Sequence, residues 1–417
     1  MSFFQKVLKD PVHDEIVVDD PWIWRIINTS AMQRLRRIRQ LGTSYLTFHG
    51  AEHSRFTHSL GVYETMRRVL SYLEKEFGWP RDDRERKLAL AAALLHDVGH
   101  GPFSHTFETV YPVHHEEWTK RIMLEDDEMA TLLAEIDDEF GPDLVGILNK
   151  NGKHRTIEQL ITSQLDVDRM DYLLRDAMNT GVNYGRFELG RLIRSLALAD
   201  GSIMLKASGV HTAEQYILAR YFMYTQVYLH PVTIGSDVLV GNILRRAGEL
   251  WSAGKLQDMP HFLKAFFVEQ STVSVKDYLA IDESTLLYAF RMWASTDDVV
   301  LSDLAERFLN RRLLAPIVRA EPTSEEWAAL RTSARAMGFH PEYYISGRTS
   351  EISAYVYRGS GIPVLRQDGS KSELSMESRI VRSLIPDTEY RLFLPKEMVE
   401  GDHAVAERVR SIIYQEG

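Results

Sequence analysis

The 417-residue sequence contains no cysteine. This absence excludes disulfide bonds, thiolate metal ligands and a cysteine nucleophile, and it is consistent with a reducing compartment. The sequence also lacks an uninterrupted apolar run long enough to span a bilayer. Its first residues, MSFFQKVLKDPVHDE, contain no apolar signal-peptide region. We therefore expect a cytoplasmic protein without a membrane partner.

An excess of positive charge is also missing. The 49 Lys and Arg residues are outnumbered by 59 Asp and Glu residues, which gives a formal net charge of −10. This balance argues against a broadly basic surface for nucleic acid, and we expect no nucleic-acid partner. With 44% hydrophobic and 26% charged residues, the composition is that of an ordinary globular protein. The length favours a large core with a smaller domain or lobe.

Hydrophobic periodicity predicts a mainly α fold. Residues 3–20 alternate around EIVVDD and predict a short N-terminal β-hairpin or an extended segment. From about residue 22 to residue 310, apolar residues recur at three- and four-residue steps, which predicts helices. Within that stretch, Asp200–Gly201 lies between β-rich segments and is typical of a two-residue hairpin turn.

The hydrophobic pattern of the sequence changes from helix-like to mixed toward its C-terminal end. Beyond about residue 311 the segments RRLLAPIVRAE, PEYYISGRT, EISAYVYR and YRLFLP resemble strands, and two helical stretches separate them. We therefore predict a helical core over residues 1–310 and a smaller α+β lobe over residues 311–417.

Histidines and carboxylates are concentrated after the apolar run LAAALL. His96 and Asp97 are adjacent where that helix is expected to end, and His96 and His100 share a face if the helix continues. Single histidines often cap helices or lie at surfaces, but six of the 15 histidines lie between residues 58 and 115. This density, with the glycines and proline of VGHGPFSH, favours a metal site. Imidazole and carboxylate ligands suit Zn, Fe, Mn or Ni rather than Ca.

Ordered sequence blocks extend well beyond this cluster. They are DPVHDEIVV, QRLRRIRQLG, AEHSRFTHSLGVYE, LLHDVGHGPFSHTFE, HHEEW, SQLDVDRMDYLLRDAMNTGVNYG and RYFMYTQVYLH. Together they lie within residues 6–230 and resemble the HD-domain phosphohydrolases, specifically the deoxynucleoside triphosphate (dNTP) triphosphohydrolases. That branch includes the vertebrate SAM-and-HD-domain dNTPase and its bacterial relatives. The resemblance implies an HD-type helical core, and we expect no SAM domain because the blocks begin within the first residues.

The resemblance implies one divalent transition metal ion, held by the family pattern H…HD…D. The matching residues are His58, His96, Asp97 and Asp168. Asp166 lies two residues before Asp168 and competes for the last position, and Asp171 lies on the same helix. Such ligands suit a metal that binds phosphate oxygen and lowers the pKa of bound water. They do not select among Mn, Fe, Zn and Ni, and Mg²⁺ would accompany the nucleotide.

The resemblance assigns acid–base chemistry to the block HHEEW. Its His115 and Glu116 match the family's His–Glu dyad, in which the carboxylate orients the imidazole and keeps it basic. His100 is expected near the α-phosphate, and His114 is expected at the surface or behind the dyad. The implied reaction converts a dNTP and water into a deoxynucleoside and inorganic triphosphate, a reaction that serves dNTP pool control.

The resemblance also supplies candidate substrate contacts, some for phosphate and others for the sugar and pocket. They are Gln40, Leu41, Arg55, His105, Arg169, Tyr172, Asp176, Arg220 and Tyr228. The three arginines would bind the polyphosphate, which carries about four negative charges. The family often has Lys where Arg169 stands. Tyr172 would pack beneath the ribose and leave little room for a 2′-hydroxyl.

Regulation by a nucleotide is a further implication, because in the family an effector bound between subunits assembles an active tetramer. We therefore expect a homo-oligomer, with a tetramer favoured, and an effector that is either GTP or a dNTP. The candidate effector contacts are Lys6, Val7, Asn28, Gln33, Arg36 and Arg191. Asn28 departs from the family, because the guanine-reading vertebrate enzyme has Asp there. An amide offers a different donor and acceptor set from a carboxylate, so guanine specificity is left open, and activation by another nucleotide or by none remains an alternative.

Two other functions remain open at this point. Another HD phosphohydrolase, such as a nucleotidase or phosphodiesterase, would share the metal ligands without needing three converging arginines. A catalytically inactive nucleotide sensor would be favoured if ligands or the dyad were missing, and none is missing from the sequence.

Overall fold

The computed structural model describes residues 4–111, 114–257, 259–268, 273–353, 355, 357 and 361–414, except for the side chains of His105 and Val268. Within these ranges the chain forms nine β-strands and twenty-two α-helices. The strands are β1 Lys6–Asp10, β2 Asp14–Val18, β3 Leu196–Ala199, β4 Ser202–Lys206, β5 Ala315–Val318, β6 Ser346–Ile352, β7 Pro363–Leu365, β8 Lys371–Glu373 and β9 Asp387–Leu394.

The helices carry most of the chain. They are α1 Pro21–Ile27, α2 Ser30–Arg34, α3 Arg55–Phe77, α4 Asp83–Leu95, α5 His105–Val110, α6 His115–Glu125, α7 Asp127–Ala134, α8 Phe140–Leu148, α9 Arg155–Ile161, α10 Val167–Thr180, α11 Leu189–Arg194, α12 Val210–Met223, α13 Pro231–Ser252, α14 His261–Val268, α15 Val275–Leu279, α16 Glu283–Trp293, α17 Val299–Leu309, α18 Ser324–Ala336, α19 Pro341–Tyr344, α20 Leu374–Glu377, α21 Arg379–Ser383 and α22 Ala404–Ile413. The prediction of a mainly α fold is confirmed.

Both hairpins predicted from the sequence are present. Strands β1 and β2 pair antiparallel from Lys6–Val18 to Asp10–Asp14. Strands β3 and β4 pair antiparallel around Asp200 and Gly201, whose φ angles are +52° and +67°. Positive φ at both central residues is typical of a two-residue type I′ turn, which matches the right-handed twist of the two strands that it joins.

The helical core is built around α3, α4 and α10. Every residue of α4 from Leu88 to Leu95 is buried, because the run LALAAALL is apolar on all faces. Helix α3 packs against both α4 and α10, and it ends at Gly78, which adopts the left-handed conformation with φ +65°. Glycine takes that conformation without a Cβ penalty, so it stops the helix there.

The C-terminal part contains the expected mixture of strands and helices. Strands β5, β9 and β6 form an antiparallel sheet over a separate apolar cluster with α18 and α22. The segment PEYYISGRT begins as α19 rather than as a strand, because Pro341 suits the first position of a helix. The predicted strand EISAYVYR contributes only its first two residues to β6, and Ala354, Val356 and Arg358 lie outside the described residues.

One sheet joins chain segments from both sides of residue 310. Strand β7 pairs parallel with β4, with Leu205 opposite Val364, in the sheet order β3-β4-β7-β8. The division of the chain into two domains at that position stays a prediction.

No single helix in the described ranges is long and apolar enough to cross a membrane. Among the described residues, one bent pair of segments, 207–228 and 231–252, reaches that length and composition when the two are taken together, and they meet at an angle of 54°.

Candidate active site

Three chain segments bring the candidate metal ligands together. Helix α3 begins after its Ser54 cap and carries His58 in its first turn. Helix α4 ends immediately before His96, so Asp97 follows in a turn rather than on the helix. Helix α10 carries Asp168 in its first turn. The starts of two helices and the turn that follows a third therefore hold the four side chains.

The ligand atoms of these four residues lie at distances suited to one ion. His58 Nε2 lies 3.0 Å from Asp168 Oδ1 and 3.9 Å from Asp97 Oδ2. His96 Nε2 lies 3.4 Å from Asp168 Oδ1 and 3.5 Å from Asp97 Oδ1. Ligands held at roughly 2.1 Å from one metal ion are separated by roughly 3–4 Å. The His/Asp group therefore has the spacing of a metal-binding site.

The hydrogen bonds of His96 test whether a cation fits. Its Nδ1 donates to the carbonyl oxygen of Ala93 at 2.9 Å, which leaves Nε2 with the lone pair in a neutral ring. That Nε2 is buried and makes no hydrogen bond to any part of the chain that the structure describes. A buried lone pair facing two carboxylates fits a cation, because buried polar atoms are otherwise hydrogen-bonded.

The electrostatics of the cluster also favour positive charge. Burial would raise the pKa of Asp97, but His96, His100 and Arg55 hold that pKa well below its usual range. Burial would lower the pKa of His58, but hydrogen bonds to Asp168 and Asp171 raise it to about 10. The carboxylates therefore stay ionised, and the imidazoles lie in a negative electrostatic environment. Such an environment would also stabilise a bound metal cation.

The two competing aspartates have other partners. Asp166 caps α10 and accepts hydrogen bonds from the backbone N–H groups of Arg169 at 2.8 Å and Ser163 at 3.0 Å. Asp171 accepts from Nδ1 of His58 at 2.9 Å, on the side of the ring opposite Asp168. The geometry therefore favours Asp168 as the fourth ligand.

A stacked pair of imidazoles lies next to the ligand cluster. The rings of His100 and His115 are 3.7 Å apart and inclined by 15°. Burial and the charge of Arg55 lower the pKa of His100. His100 Nε2 lies 3.4 Å from Asp97 Oδ1, so the stacked imidazole pair is adjacent to the candidate metal ligands.

The partner of His115 differs from the one expected. Its Nδ1 donates to Oε1 of Glu108 at 2.7 Å, whereas Glu116 is exposed and no hydrogen bond between described residues joins it to His115. The reason is helical geometry, because adjacent residues at the start of α6 point about 100° apart. The carboxylate comes instead from α5. A signal for it was present, since Glu108 ends the block LLHDVGHGPFSHTFE.

A cavity of about 490 Å³ opens beside these groups, within the range of small-molecule sites. Most predicted site residues line it, namely Gln40, Leu41, Arg55, Asp97, His100, His115, Asp168, Tyr172, Asp176 and Tyr228. Residues that sequence reasoning missed also line it, among them Ser44, Ser104, Tyr224, Thr233 and Asp237. The side chain of His105 lies outside the described residues.

The three candidate phosphate-binding arginines have different surroundings. Arg55 donates to Asp97 at 2.5 Å and to Ser104 at 2.9 Å, at the cavity wall. Arg169 does not reach the cavity, because the Asp166 carboxylate that caps α10 binds its guanidinium. Arg220 is buried beside the cavity residue Tyr224, with its guanidinium 5.5 Å from the ring centre. Nε and Nη1 of Arg220 make no hydrogen bond in the described ranges.

Two of the predicted sugar and pocket residues, Asp176 and Tyr228, are joined by a hydrogen bond. Tyr228 donates to Asp176 Oδ2 at 2.8 Å, and His53 Nε2 donates to Asp176 Oδ1 at 2.7 Å. The ring of Tyr172 lies 5.9 Å from that of Tyr228. The Oε1 atom of Gln40 is buried and accepts no hydrogen bond from the described residues. The cavity therefore holds polar and aromatic groups together with the metal ligands Asp97 and Asp168.

The candidate effector contacts lie outside this cavity. Asn28 donates from Nδ2 to the carbonyl oxygen of Trp24 at 2.6 Å, and Gln33 donates to that of Ile27 at 2.8 Å. Gln33 is half-buried, and the exposed members are Lys6, Val7, Asn28, Arg36 and Arg191. The set lies on β1, α1, α2 and their surroundings, except for Arg191 on α11.

Comparisons with known proteins place the same residues in a known family region. The HD domain matches residues 55–176, which include all four candidate metal ligands, and the HD associated region matches residues 187–336. The chain is 44% identical to the uncharacterized protein YwfO of Bacillus subtilis, over 95% of this chain and 93% of that protein.

Two further matches extend this comparison. The Dictyostelium discoideum homolog of deoxynucleoside triphosphate triphosphohydrolase SAMHD1 is 30% identical over 62% of this chain, which spans 52% of that protein. A crystal structure of a phosphohydrolase from Bacteroides thetaiotaomicron is 29% identical and matches with a TM-score of 0.85, covering 94% of this chain and 100% of that chain.

Proposed function

Because this chain belongs to the HD-domain phosphohydrolases, a family of metal-dependent hydrolases, we propose that it hydrolyses dNTPs to deoxynucleosides and inorganic triphosphate. The observation that carries the proposal is the His58, His96, Asp97 and Asp168 cluster, whose Asp97 and Asp168 line a cavity that also holds Tyr172, Asp176 and Tyr228. A metal bound there would polarise a phosphate oxygen and activate water.

The chain's own residues account for the remaining chemistry. Water attacks the α-phosphorus, the bond between that phosphorus and the 5′-oxygen breaks, and the departing 5′-oxygen takes a proton from His115. The proton that the attacking water loses replaces the one given up by His115, so the reaction is balanced. Glu108 holds the His115 ring by its Nδ1, so the ring's other nitrogen is directed at the leaving oxygen. The charge of Arg55, at the cavity wall, stabilises the negative charge that builds on the phosphate.

Substrate selection follows from other residues that line the cavity. Asp176 is already held by Tyr228 and His53, so its carboxylate is fixed for a sugar hydroxyl. Tyr172 closes the space beneath the sugar. A ribose 2′-hydroxyl placed against that ring would be buried without a partner, at a cost of about 1–3 kcal/mol.

The name of the SAMHD1 homolog supports a dNTP substrate over a monophosphate or cyclic nucleotide. Nucleotide activation and assembly into a tetramer belong to the same proposal. The exposed Lys6, Asn28 and Arg36 would receive the effector, and the amide of Asn28 would present its oxygen because its nitrogen already binds Trp24. The effector would then be read through a base donor group.

The proposal is tested by product analysis. Purified protein is incubated with each dNTP and Mn²⁺ or Mg²⁺, alone and with GTP or a second dNTP, and the products are separated by anion exchange. We expect deoxynucleoside and triphosphate, with turnover abolished in Asp97→Ala. Hydrolysis of a monophosphate or cyclic nucleotide in place of every dNTP would contradict the proposal and favour another HD-type reaction.

A further inference from the structure

A buried network of charged side chains lies behind the candidate metal ligand His58, on the side away from the cavity. Asp171 accepts hydrogen bonds from His58 Nδ1 at 2.9 Å and from His13 Nε2 at 2.6 Å. Arg175 donates to Asp171 at 2.8 and 3.0 Å and to Asp10 at 2.8 and 3.2 Å. The side chains of these five residues are at most 4% exposed.

The network connects the N-terminal hairpin to the helix that carries Asp168. Asp10 is the last residue of β1, and His13 lies in the turn that leads to β2. The carboxylate of Asp10 also accepts from the backbone N–H groups of Val12 and His13, both at 2.9 Å. Arg68 on α3 donates to the carbonyl oxygen of His13 at 2.9 Å. The turn is therefore held in one conformation against both α3 and α10.

A glycine on α3 makes room for this arrangement. A Cβ atom at Gly61 would lie 2.0 Å from Asp171 Oδ1 and 2.3 Å from Arg175 Nη2. Atoms do not approach that closely, so any side chain at this position would push the Asp171–Arg175 pair away. The carboxylate can reach both His58 and His13 only because residue 61 is glycine.

We propose that the β1–β2 turn positions the metal ligand His58 through Asp171. The carboxylate holds the Nδ1 proton of His58, which directs the Nε2 lone pair toward Asp97 and Asp168. His13 and the Asp10–Arg175 pair hold that carboxylate in place from the hairpin side. A carboxylate behind a ligating imidazole fixes its tautomer and raises its basicity, and loss of such a partner typically weakens metal binding by about 10–100-fold.

A purely structural role explains the network less well. Buried ion pairs contribute little net stability, because desolvation of the charges offsets their attraction. The network also ends on the imidazole of His58 and so orients a candidate metal ligand. Stability of the fold alone does not require that contact. The inference rests on the proposed metal site, but not on the identity of the substrate.

The test measures binding of Mn²⁺ alone to the metal-stripped full-length protein by titration calorimetry. The variants are Asp171→Asn, which keeps the shape of the side chain, and His13→Gln, which alters only the hairpin side. Glu64→Gln is the matched control. Glu64, on α3, is like Asp171 a buried carboxylate, and it contacts the hairpin through the backbone N–H of Val17, but it does not touch His58. Thermal unfolding of each metal-free variant reports stability separately.

We expect Asp171→Asn and His13→Gln to weaken Mn²⁺ binding by about 10–100-fold, and Glu64→Gln to change it by less than about twofold while losing stability. Wild-type affinity in both Asp171→Asn and His13→Gln, or equal weakening in Glu64→Gln, would overturn the inference. If wild-type protein binds no divalent ion, the metal site and this inference fail together. If the variants weaken Mn²⁺ binding but no dNTP is hydrolysed, the proposed reaction fails and the positioning role stands.

Discussion

His115 Nδ1 lies 2.7 Å from Oε1 of Glu108, a residue seven positions earlier in the chain. The two residues belong to different helices, α5 and α6, and their contact fixes the imidazole that stacks on His100. Glu108 is therefore the residue that orients the proposed general acid, a role that the family resemblance assigns to Glu116.

We predict that Glu108→Gln lowers kcat for dNTP hydrolysis by about 100-fold, with KM changed by less than about threefold. The amide still contacts His115 but no longer stabilises its protonated form, and general acid catalysis contributes about 10²–10⁴-fold. Steady-state kinetics and a pH–rate profile measure the effect. The control is Glu116→Gln, which we expect to retain activity. A loss of similar size in Glu116→Gln, with Glu108→Gln still active, would show that Glu116 is the partner of His115, as the family resemblance implies.

Arg220 and Arg169 give a second contrast. We predict that Arg220→Gln raises KM for dNTPs by about 10–100-fold, because a buried guanidinium whose Nε and Nη1 lack hydrogen bonds among the described residues is suited to a phosphate. Arg169→Gln instead is expected to reduce stability with a smaller change in KM, since Arg169 is bound to Asp166. The opposite order of KM values would show that Arg169 turns into the cavity when substrate binds.

Removal of the metal is expected to affect both stability and activity. An ion bound only by the folded chain stabilises it by about 2.7 kcal/mol at a concentration of 100 Kd. We therefore expect a chelator to lower Tm by a few degrees and to abolish hydrolysis, and Mn²⁺ to restore both. Asp97→Asn serves as the control in differential scanning fluorimetry, and its Tm should not respond to either addition. A Tm of the wild-type protein that ignores chelator and Mn²⁺ would contradict the proposed site.

Stability at acidic pH depends on Glu64, which is 1% exposed. Burial would raise the pKa of Glu64, but hydrogen bonds from Arg67 and Arg68 lower it below the ordinary value of 4.5. A carboxyl group whose folded pKa is depressed stabilises the fold at pH values above its unfolded pKa, and this contribution is lost as the pH falls through the folded pKa.

Glu64→Gln should therefore be less stable than wild type by about 1–3 kcal/mol at neutral pH. The difference should shrink as the pH falls below 4.5, because protonation removes the wild-type advantage. Urea unfolding at a series of pH values measures this. A difference that stays constant down to pH 3 would show that the ionised carboxylate is not the stabilising form.

Local features of the fold were predictable because they depend on residues close in the chain. The apolar run before His96, the Asp200–Gly201 turn and the alternation around EIVVDD each encode an element through short-range sterics and hydrophobic periodicity. The predicted strand at PEYYISGRT was wrong at its start, because the local preference of Pro341 for a first helical position prevailed over strand-like composition.

The sequence by itself determined the mainly α architecture, the family resemblance and most of the predicted site residues now found at the cavity, such as Asp97, Tyr172 and Tyr228. Those inferences rest on residue types and their order, which the sequence contains directly. Only the tertiary structure decided which carboxylate serves which imidazole. Glu108 rather than Glu116 reaches His115, Asp166 binds Arg169, and Asp171 links His58 to His13. Such pairings depend on how separate helices and the hairpin pack, so the order of residues along the chain offers candidates such as Glu108 but does not select among them.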